Sequence, residues 1–350
     1  MRVKLSDVTK YLKGTQINGE DLIENGKYIY LNGGINPSGR WNDANVKGNT
    51  VTISEGGNSS GYVNYVTEPF WCGAHCYYLF DGPKNTRYLY YALKSQQERL
   101  FGIRSGACMP NIKKADLGRF EFEFDTDEQK QSKVVSLLSK IEVVIGERKR
   151  ELELLEQLIK SRFVEMFGDI KYGLERWGGK SFKDITINLD SRRKPVKDAD
   201  RKKMQGIYPY YGATGIVDYV NDYRQEGDFL LVSEDGKALE LRSKPIAFLA
   251  SGKIWVNNHA HVQQCTNECN MIYLMYHINF MDISTWITGI DQKKLNRANL
   301  DTIPIALPPI ELQEQFANFV NQINKSKLLV QKSLEETQQL FDALMQKYFS

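Results

Sequence analysis

The sequence predicts an α+β protein: two mainly β domains are held apart by two long helices that form an antiparallel coiled coil, with a pseudo-two-fold internal repeat. Two observations support this prediction. Apolar residues follow a heptad spacing in two long segments, and the stretches before these segments resemble one another in order and composition. We therefore expect four parts along the chain, which are a domain at 1–125, a helix at 126–169, a domain at 170–305 and a helix at 306–350.

The first helix has start and stop signals. Thr126 with Gln129 three residues later predicts a capping box, and Gly168 predicts the end of the helix. Between them the residues at the core positions of the heptads form one stripe along the helix, which we call the seam. They are Val134, Leu138, Ile141, Ile145, Arg148, Leu152, Leu155, Ile159, Arg162 and Met166. About 40 helical residues would extend roughly 60 Å. The segment is predicted to be a spacer.

The second helix repeats this spacing. Pro309 suits the first helical position, and Glu311 suits the first turn. The seam is Phe316, Val320, Ile323, Lys327, Val330, Leu334, Thr337, Phe341, Leu344 and Tyr348. Two ordinary amphipathic helices buried in a core are the alternative, but the sustained 3.5-residue period favours a coiled pair.

Residues 1–125 read as a mainly β domain. Its β-rich runs lie at 27–31, 50–54 and 76–80, and one helix is expected at 87–94. The runs are separated by loops rich in Gly, Asn, Ser and Pro, of which the most polar are 32–41, 55–62 and 105–114. Each of these loops combines glycine with amide, hydroxyl, cationic or aromatic side chains.

The segment 170–305 repeats the pattern. The matches are 28–35 with 208–216, 51–55 with 230–234, 73–75 with 259–261, and 105–117 with 288–300. Four matches in the same order make chance similarity an unsatisfactory explanation. Two similar halves, each followed by a heptad helix, predict that the two helices run antiparallel.

Composition narrows the protein class. No apolar run of membrane-spanning length and no secretory leader occur, so we expect a cytoplasmic protein that does not contact a membrane. The cysteines are five in number, which argues against a disulfide framework and for free thiols. The net charge of +3 is too small to identify a partner by itself.

Motifs for nucleotide chemistry are absent. The sequence contains neither a P-loop nor a G-x-G-x-x-G turn. Asp235 and Lys237, with Asp228 upstream, resemble the acidic and basic groups of a metal-dependent nuclease. The matching loop, residues 56–58, has neither group. A solvated loop is therefore the favoured interpretation, and we expect no catalytic residue.

Zinc is the remaining chemical possibility. Potential ligands are Cys72, His75 and Cys76, and Cys265 and Cys269 with His259 and His261. No C-x₂-C pair occurs, so buried cysteines acting as small apolar residues are favoured and no metal is expected.

The loops fit nucleic-acid recognition best, because cations can position a phosphate backbone while amides and guanidinium groups read base edges. The densest basic run, 192–197 with 201–203, is equally compatible with a solvated loop. The candidate DNA-binding residues are Asn32, Arg40, Trp41, Asn58, Ser60, Tyr62, His75, Lys113 and Lys114 in the first domain, and Arg192, Arg193, Lys194, Tyr211, Thr214, Lys237, Asn258, His261, Lys293, Lys294 and Arg297 in the second.

Three stretches carry a family resemblance: 155–169 at the end of the first helix, 303–315 at the entry to the second, and 257–261 between them. They resemble the specificity subunit of type I restriction-modification systems, over essentially the whole chain. The resemblance implies two target recognition domains, each reading half of a bipartite sequence in double-stranded DNA. One departure is that 120–124 lacks the prolines of the second entry.

The resemblance also implies partners. A specificity subunit has no activity of its own and assembles with methyltransferase (M) and restriction (R) subunits. No cofactor is expected on this chain, since S-adenosylmethionine and ATP would belong to those partners. Two alternatives remain open: a non-catalytic coiled-coil scaffold whose β domains bind protein, and a zinc-dependent nucleic-acid enzyme.

Overall fold

The computed structural model describes residues 1–106, 108–289 and 292–349. Ala107, Ile290 and Asp291, which belong to the matched loops 105–117 and 288–300, and Ser350 at the end of the predicted second helix, lie outside the described residues. The chain forms two compact units. The first comprises Met1–Arg150 and Gln331–Ser350, and the second comprises Glu151–Val330. Each long helix therefore contributes one part to each unit.

Outside the two long helices, the first unit has more strand than helix. Its strands and helices are β1 (Arg2–Lys4), α1 (Leu5–Val8), β2 (Lys10–Lys13), β3 (Tyr28–Leu31), β4 (Gly39–Trp41), β5 (Thr50–Ser54), β6 (Val63–Val66), β7 (Trp71–Cys72), β8 (Cys76–Phe80), α2 (Thr86–Lys94), α3 (Gln97–Gly102), α4 (Lys114–Gly118), β9 (Glu121–Glu123) and the start of α5 (Glu128–Phe167). The predicted strands and the predicted helix at 87–94 are confirmed.

The second unit has a similar order of strands and helices. Its elements are the end of α5, then α6 (Gly173–Trp177), β10 (Gly179–Ser181), α7 (Phe182–Ile185), β11 (Thr186–Asn188), α8 (Asp198–Arg201), β12 (Gln205–Gly212), β13 (Gly215–Val220), β14 (Gln225–Ser233), α9 (Lys237–Leu241), β15 (Ala247–Val256), β16 (Ala260–Cys265), α10 (Met271–Phe280), α11 (Arg297–Thr302), β17 (Pro304–Ala306) and the start of α12 (Ile310–Phe349).

The internal repeat is confirmed by strand topology. In the first unit the main sheet has the order β2-β8-β5-β6, and in the second the corresponding strands run β11-β16-β14-β15. A parallel pairing recurs as well, because Tyr30 pairs with Trp71 and Tyr210 with Trp255. The central strand β5 is buried at every position. Its sequence alternates polar and apolar residues, so the polar face of this strand is covered as well as the apolar one.

Each unit is closed by a short antiparallel strand pair, β1 with β9 and β10 with β17. Val3 pairs with Phe122 in the first unit, and Lys180 pairs with Ile305 in the second. Both strand pairs therefore lead into the long helices in the same way. The missing prolines at 120–124 do not change this arrangement.

The first long helix begins one residue later than its sequence signal suggested. The carboxylate of Asp127, not the hydroxyl of Thr126, accepts hydrogen bonds from the N–H groups of Gln129 at 2.9 Å and Lys130 at 3.1 Å. Its end is as predicted: Gly168 has φ +86° and donates its N–H to the carbonyl of Val164. A left-handed residue at this point is a common helix stop.

The seam prediction is confirmed for both helices. Every predicted seam position is buried or half-buried, whereas Leu154, Leu158 and Leu328 on other faces are exposed. In the first unit, Val134 and Leu138 of α5 share a core with Met345 and Phe349 of α12. The start of one helix therefore packs against the end of the other, as an antiparallel pair requires.

In the second unit the end of α5 packs against the start of α12. Phe163 lies against Phe316 with ring centroids 5.4 Å apart, and against Tyr273 of α10 at 5.8 Å. The side chain of Gln313 is fully buried; it accepts from the N–H of Asn270 and donates to the carbonyl of Pro308. These contacts explain why 155–169 and 303–315 carry such particular sequences.

Candidate nucleic-acid interface

Four polar loops meet in the first unit at the end of β5. The N–H of Glu55 donates to the carbonyl of His75 at 2.8 Å, and the N–H of Ile112 donates to the carbonyl of Glu55 at 2.9 Å. The hydroxyl of Ser54 donates to the carbonyl of Gly33. These bonds join the described residues of 32–38, 55–62, 73–75 and 103–114, which we call the first loop cluster.

The second unit builds the same junction at the end of β14. The N–H of Glu234 donates to the carbonyl of His259 at 2.9 Å, and the N–H of Leu295 donates to the carbonyl of Glu234 at 2.8 Å. The hydroxyl of Ser233 donates to the carbonyl of Ala213. The described residues of 212–215, 234–239, 257–259 and 286–297 form the second loop cluster.

This geometry corrects the register of one predicted match. The backbone bonds place His75 at the position of His259, two residues before the expected partner His261. His259 was therefore missed as a candidate site residue. The H-x-H spacing allowed either assignment, and only the hydrogen bonding of the strands distinguishes them.

Many of the predicted binding residues lie at the surface of the loop clusters. Asn58, Lys113 and Lys114 are exposed in the first cluster, and Thr214, Lys237 and Asn258 are exposed in the second, where Lys293 and Lys294 are half-buried. Arg192 and Lys194 are also exposed, and the N–H of Lys194 bonds to the carbonyl of Val256, at the edge of the second cluster.

Four predicted residues are not available to a ligand in this conformation. Ser60 is fully buried and donates to the carbonyl of Glu55. Tyr211 is 9% exposed and stacks on Phe248. His261 and Arg193 are bound internally. These side chains brace the loops in this conformation, and a contact of any of them with DNA stays a prediction.

His261 and Arg193 are both held by carboxylates. His261 is 1% exposed, with Nδ1 2.7 Å from a carboxylate oxygen of Asp190 and Nε2 2.8 Å from the carbonyl oxygen of Leu295. Arg193 bonds Glu234 at 2.7 Å. Burial opposes ionisation of Asp190, but the hydrogen bond from His261 and the nearby Arg193 leave the pKa of the Asp190 carboxyl below its ordinary value.

Other predicted residues have local partners. Arg40 donates to the carbonyls of Gly26 and Lys27. Trp41 lies edge-on against Trp71, and the side-chain oxygen of Asn32 accepts from the N–H of His75. Nζ of Lys94 lies 3.7 Å from the ring centre of Tyr62, and Arg297 forms an ion pair with Asp301 at 2.7 Å. These contacts hold the loops in shape. Burial lowers the pKa of Lys94 to about 8.

Asp235 is not the solvated carboxylate that the sequence suggested. Its side chain is 8% exposed and lies 2.9 Å from Nδ1 of His259 and 3.9 Å from Nζ of Lys294. Asp228 is seven residues earlier along β14, which at about 3.3 Å per residue is roughly 20 Å away. The two carboxylates therefore do not form one site.

All five cysteines are free thiols, of which Cys72 with Cys76 and Cys265 with Cys269 form two neighbouring pairs, while Cys108 is exposed. Hydrogen bonding to Cys76 and burial raise the pKa of the Cys72 thiol, and hydrogen bonding to Cys265 and burial raise that of Cys269. Within 1–106, 108–289 and 292–349, no group of three or more His, Cys, Asp or Glu is placed to hold a metal ion. None of the described helices is long and apolar enough to cross a membrane.

A repeated domain, each copy presenting a polar loop cluster and built onto paired long helices, defines a two-domain α+β protein with an internal repeat. The family model for the type I restriction modification DNA specificity domain matches residues 1–157 and 175–339. The chain belongs to this family.

Curated relatives of this chain have names from the same family. The chain is 36% identical over 142 residues to a protein of Haemophilus influenzae classed as a type I restriction enzyme specificity subunit, covering 41% of this chain and 36% of that protein. It is 30% identical over 246 residues to one classed as a type I specificity subunit in Mycoplasma pneumoniae, covering 67% of this chain and 65% of that protein. The chain thus spans less than two thirds of the length of these two relatives.

Solved structures share the fold. The type I restriction-modification S subunit from M. genitalium matches with a TM-score of 0.70 at 23% identity, covering 100% of this chain and 96% of that chain. A chain from a study of assembly and conformational transition of the type I R-M system matches with a TM-score of 0.54 at 12% identity, covering 99% and 96%.

Proposed function

We propose that this chain is a DNA-reading subunit of a type I restriction-modification complex. Each loop cluster reads one half of a bipartite target in double-stranded DNA. The observation that carries the proposal is the repetition of one loop junction in two units, each with exposed cationic and amide side chains around it. Cations can hold the phosphate backbone while amides reach base edges.

The chain supplies recognition and leaves chemistry to its partners. Methyltransferase subunits, which would carry S-adenosylmethionine, and ATP-dependent restriction subunits dock on it. Family membership supports this division of roles. The carboxylates of the second unit support it too, because they contact neighbouring side chains of the same unit. Asp235, Asp190 and Glu234 each lie against a neighbouring histidine or arginine side chain.

Methylation mapping tests the proposal. The full chain is expressed with its methyltransferase subunits on a plasmid library of random sequence, and the modified sites are read. We expect one bipartite motif with an unread gap. A complex that methylates DNA without sequence preference, or no DNA modification at all, would contradict the proposal.

Salt dependence gives a second measurement. Binding of the full chain to target DNA should weaken steeply with salt, because phosphate neutralisation releases counterions. Lys113→Glu should weaken binding on the order of tenfold. Lys332→Glu is the matched control, since Lys332 is exposed on α12 and pairs only with Glu336 among the described residues. Binding that is indifferent to salt would favour the protein-binding scaffold instead.

A further inference from the structure

A carboxylate and a histidine of the first loop cluster lie together with a lysine at the end of β2. Nζ of Lys13 is 2.8 Å from Oε1 of Glu55, and Nδ1 of His75 is 3.2 Å from Oε2. The side chain of Glu55 is 14% exposed, whereas that of His75 is 60% exposed. Burial opposes ionisation of Glu55, but Lys13 and His75 leave the pKa of its carboxyl below its ordinary value. The carboxylate is thus an internal support, and the imidazole faces outward.

The second loop cluster contains the same grouping. Nδ1 of His259 is 2.9 Å from both oxygens of Asp235, and Nζ of Lys294 is 3.9 Å from Oδ2. The carboxylate side chain is 8% exposed and the histidine side chain is 47% exposed. Again a buried carboxylate holds one ring nitrogen of an exposed imidazole.

Only the histidines occupy matching positions. The residue that matches Glu55 is Glu234, but its carboxylate bonds Arg193 and not His259. The residue that matches Asp235 is Gly56, which has no side chain. A side chain at Gly56 would approach Nδ1 of His75, since a Cβ there would lie 3.8 Å from it. The two units therefore assemble one arrangement from different positions, with the carboxylate reaching the same ring nitrogen in both.

The carboxylate fixes the hydrogen-bonding character of the imidazole. An ionised carboxylate only accepts hydrogen bonds, so Nδ1 must carry the hydrogen that it donates. In an uncharged imidazole the other nitrogen, Nε2, is then an acceptor. In the major groove, the donors that an acceptor can read are the N6 amino group of adenine and the N4 amino group of cytosine.

We propose that His75 and His259 are specificity-determining residues, each accepting at Nε2 a hydrogen bond from an adenine or cytosine amino group in its own half-site. The inference rests on the proposed function and names the groups that perform the reading. Glu55 and Asp235 are positioning residues, because they act through the histidine and do not touch the base. Lys13 and Lys294 fix the carboxylates.

Replacing one carboxylate oxygen of Glu55 with an amide NH₂ should reverse the hydrogen-bonding roles of the two ring nitrogens of His75. In Glu55→Gln, Lys13 can bond only the amide oxygen, because an ammonium group has no acceptor. Since Lys13 and His75 use different oxygens of Glu55, the amide NH₂ is left facing Nδ1 of His75. Nδ1 must then accept, and Nε2 becomes a donor. The preferred base at one position should change from adenine or cytosine to guanine or thymine, whose major-groove edges accept.

The experiment reads the methylated motif of the full complex on a random library. The variants are His75→Ala, Glu55→Gln and His259→Ala. His75→Ala should relax one position of one half-site, and Glu55→Gln should reverse the preference at that same position. His259→Ala should relax one position of the other half-site. The untouched half-site in each variant shows that the protein is folded, and Asp81→Asn, an exposed carboxylate paired with Lys10, is the control.

Binding to altered bases tests the contact itself. A purine lacking the N6 amino group, or a pyrimidinone lacking the N4 amino group, at the read position should weaken wild-type binding about fivefold. The same replacement should leave His75→Ala unaffected. If His75→Ala weakened all sequences alike, or if Glu55→Gln kept the wild-type base preference, the inference would be overturned while the DNA-reading function stood. If wild-type protein recognised no motif, the proposed function itself would fail.

Discussion

His277 should make the second unit sensitive to mild acid. It lies in α10, is 3% exposed, and packs against Phe163 and Tyr273. Its Nε2 accepts from the N–H of Ala306 at 3.4 Å, whereas Nδ1 is buried without a hydrogen-bond partner in the described part of the chain. Burial lowers the pKa of His277 from 6.5 to about 4.

The sign of the effect follows from linkage. The unfolded chain binds a proton near pH 6.5, but the folded chain binds it only near pH 4. Stability from this group is therefore fully present above pH 6.5 and is lost as pH falls towards 4. The difference in pKa corresponds to about 3.4 kcal/mol in total, of which about 2 kcal/mol is lost by pH 5.

Urea unfolding of wild type and His277→Leu at pH 7.5 and pH 5 measures this contribution. Leucine removes the acceptor for Ala306 at both pH values, so the variant loses about 1 kcal/mol independently of pH. Other titrating groups are common to both proteins and cancel. The fall in unfolding free energy between the two pH values should be about 2 kcal/mol smaller in the variant. An equal fall in both proteins would refute this account of His277.

Three further predictions concern the helices. Gln313→Ala should cost about 1–3 kcal/mol in thermal unfolding, because it leaves the N–H of Asn270 and the carbonyl of Pro308 without their partner; an unchanged melting temperature would show that water replaces the side chain. Gly168→Ala should cost about 1–2 kcal/mol because φ is +86°, while Gly146→Ala within α5, where a Cβ meets no atom within 4 Å, should stabilise by about 0.5–1 kcal/mol; the same sign for both would contradict the helix-stop assignment. One heptad inserted at Lys160, with a matching heptad near Ile323, adds about 10 Å of helix and should lengthen the unread gap by about three base pairs at 3.4 Å each; a constant gap in the methylated motif would show that the helices do not set it.

The sequence alone determined the regular elements. The seam from Val134 to Met166 and its counterpart from Phe316 to Tyr348 are patterns of local spacing, and a 3.5-residue period has few structural solutions. The strand runs and the internal repeat were also readable, because each match lies within one short segment. The helix start differs by little, since Thr126 and Asp127 are both suitable caps and only the geometry of the turn selects Asp127.

The tertiary structure decided which loop residues face outward. Ser60, Arg193, Tyr211 and His261 have the side-chain chemistry of binding residues, yet each is buried or bound internally. His259 was distinguished from His261 only by the bond between its carbonyl and the N–H of Glu234. Burial depends on atoms far away in sequence, and loops lack a period from which a face can be inferred. For that reason the sequence predicted the chemistry of the loops, and the fold determined which side chains can reach a ligand.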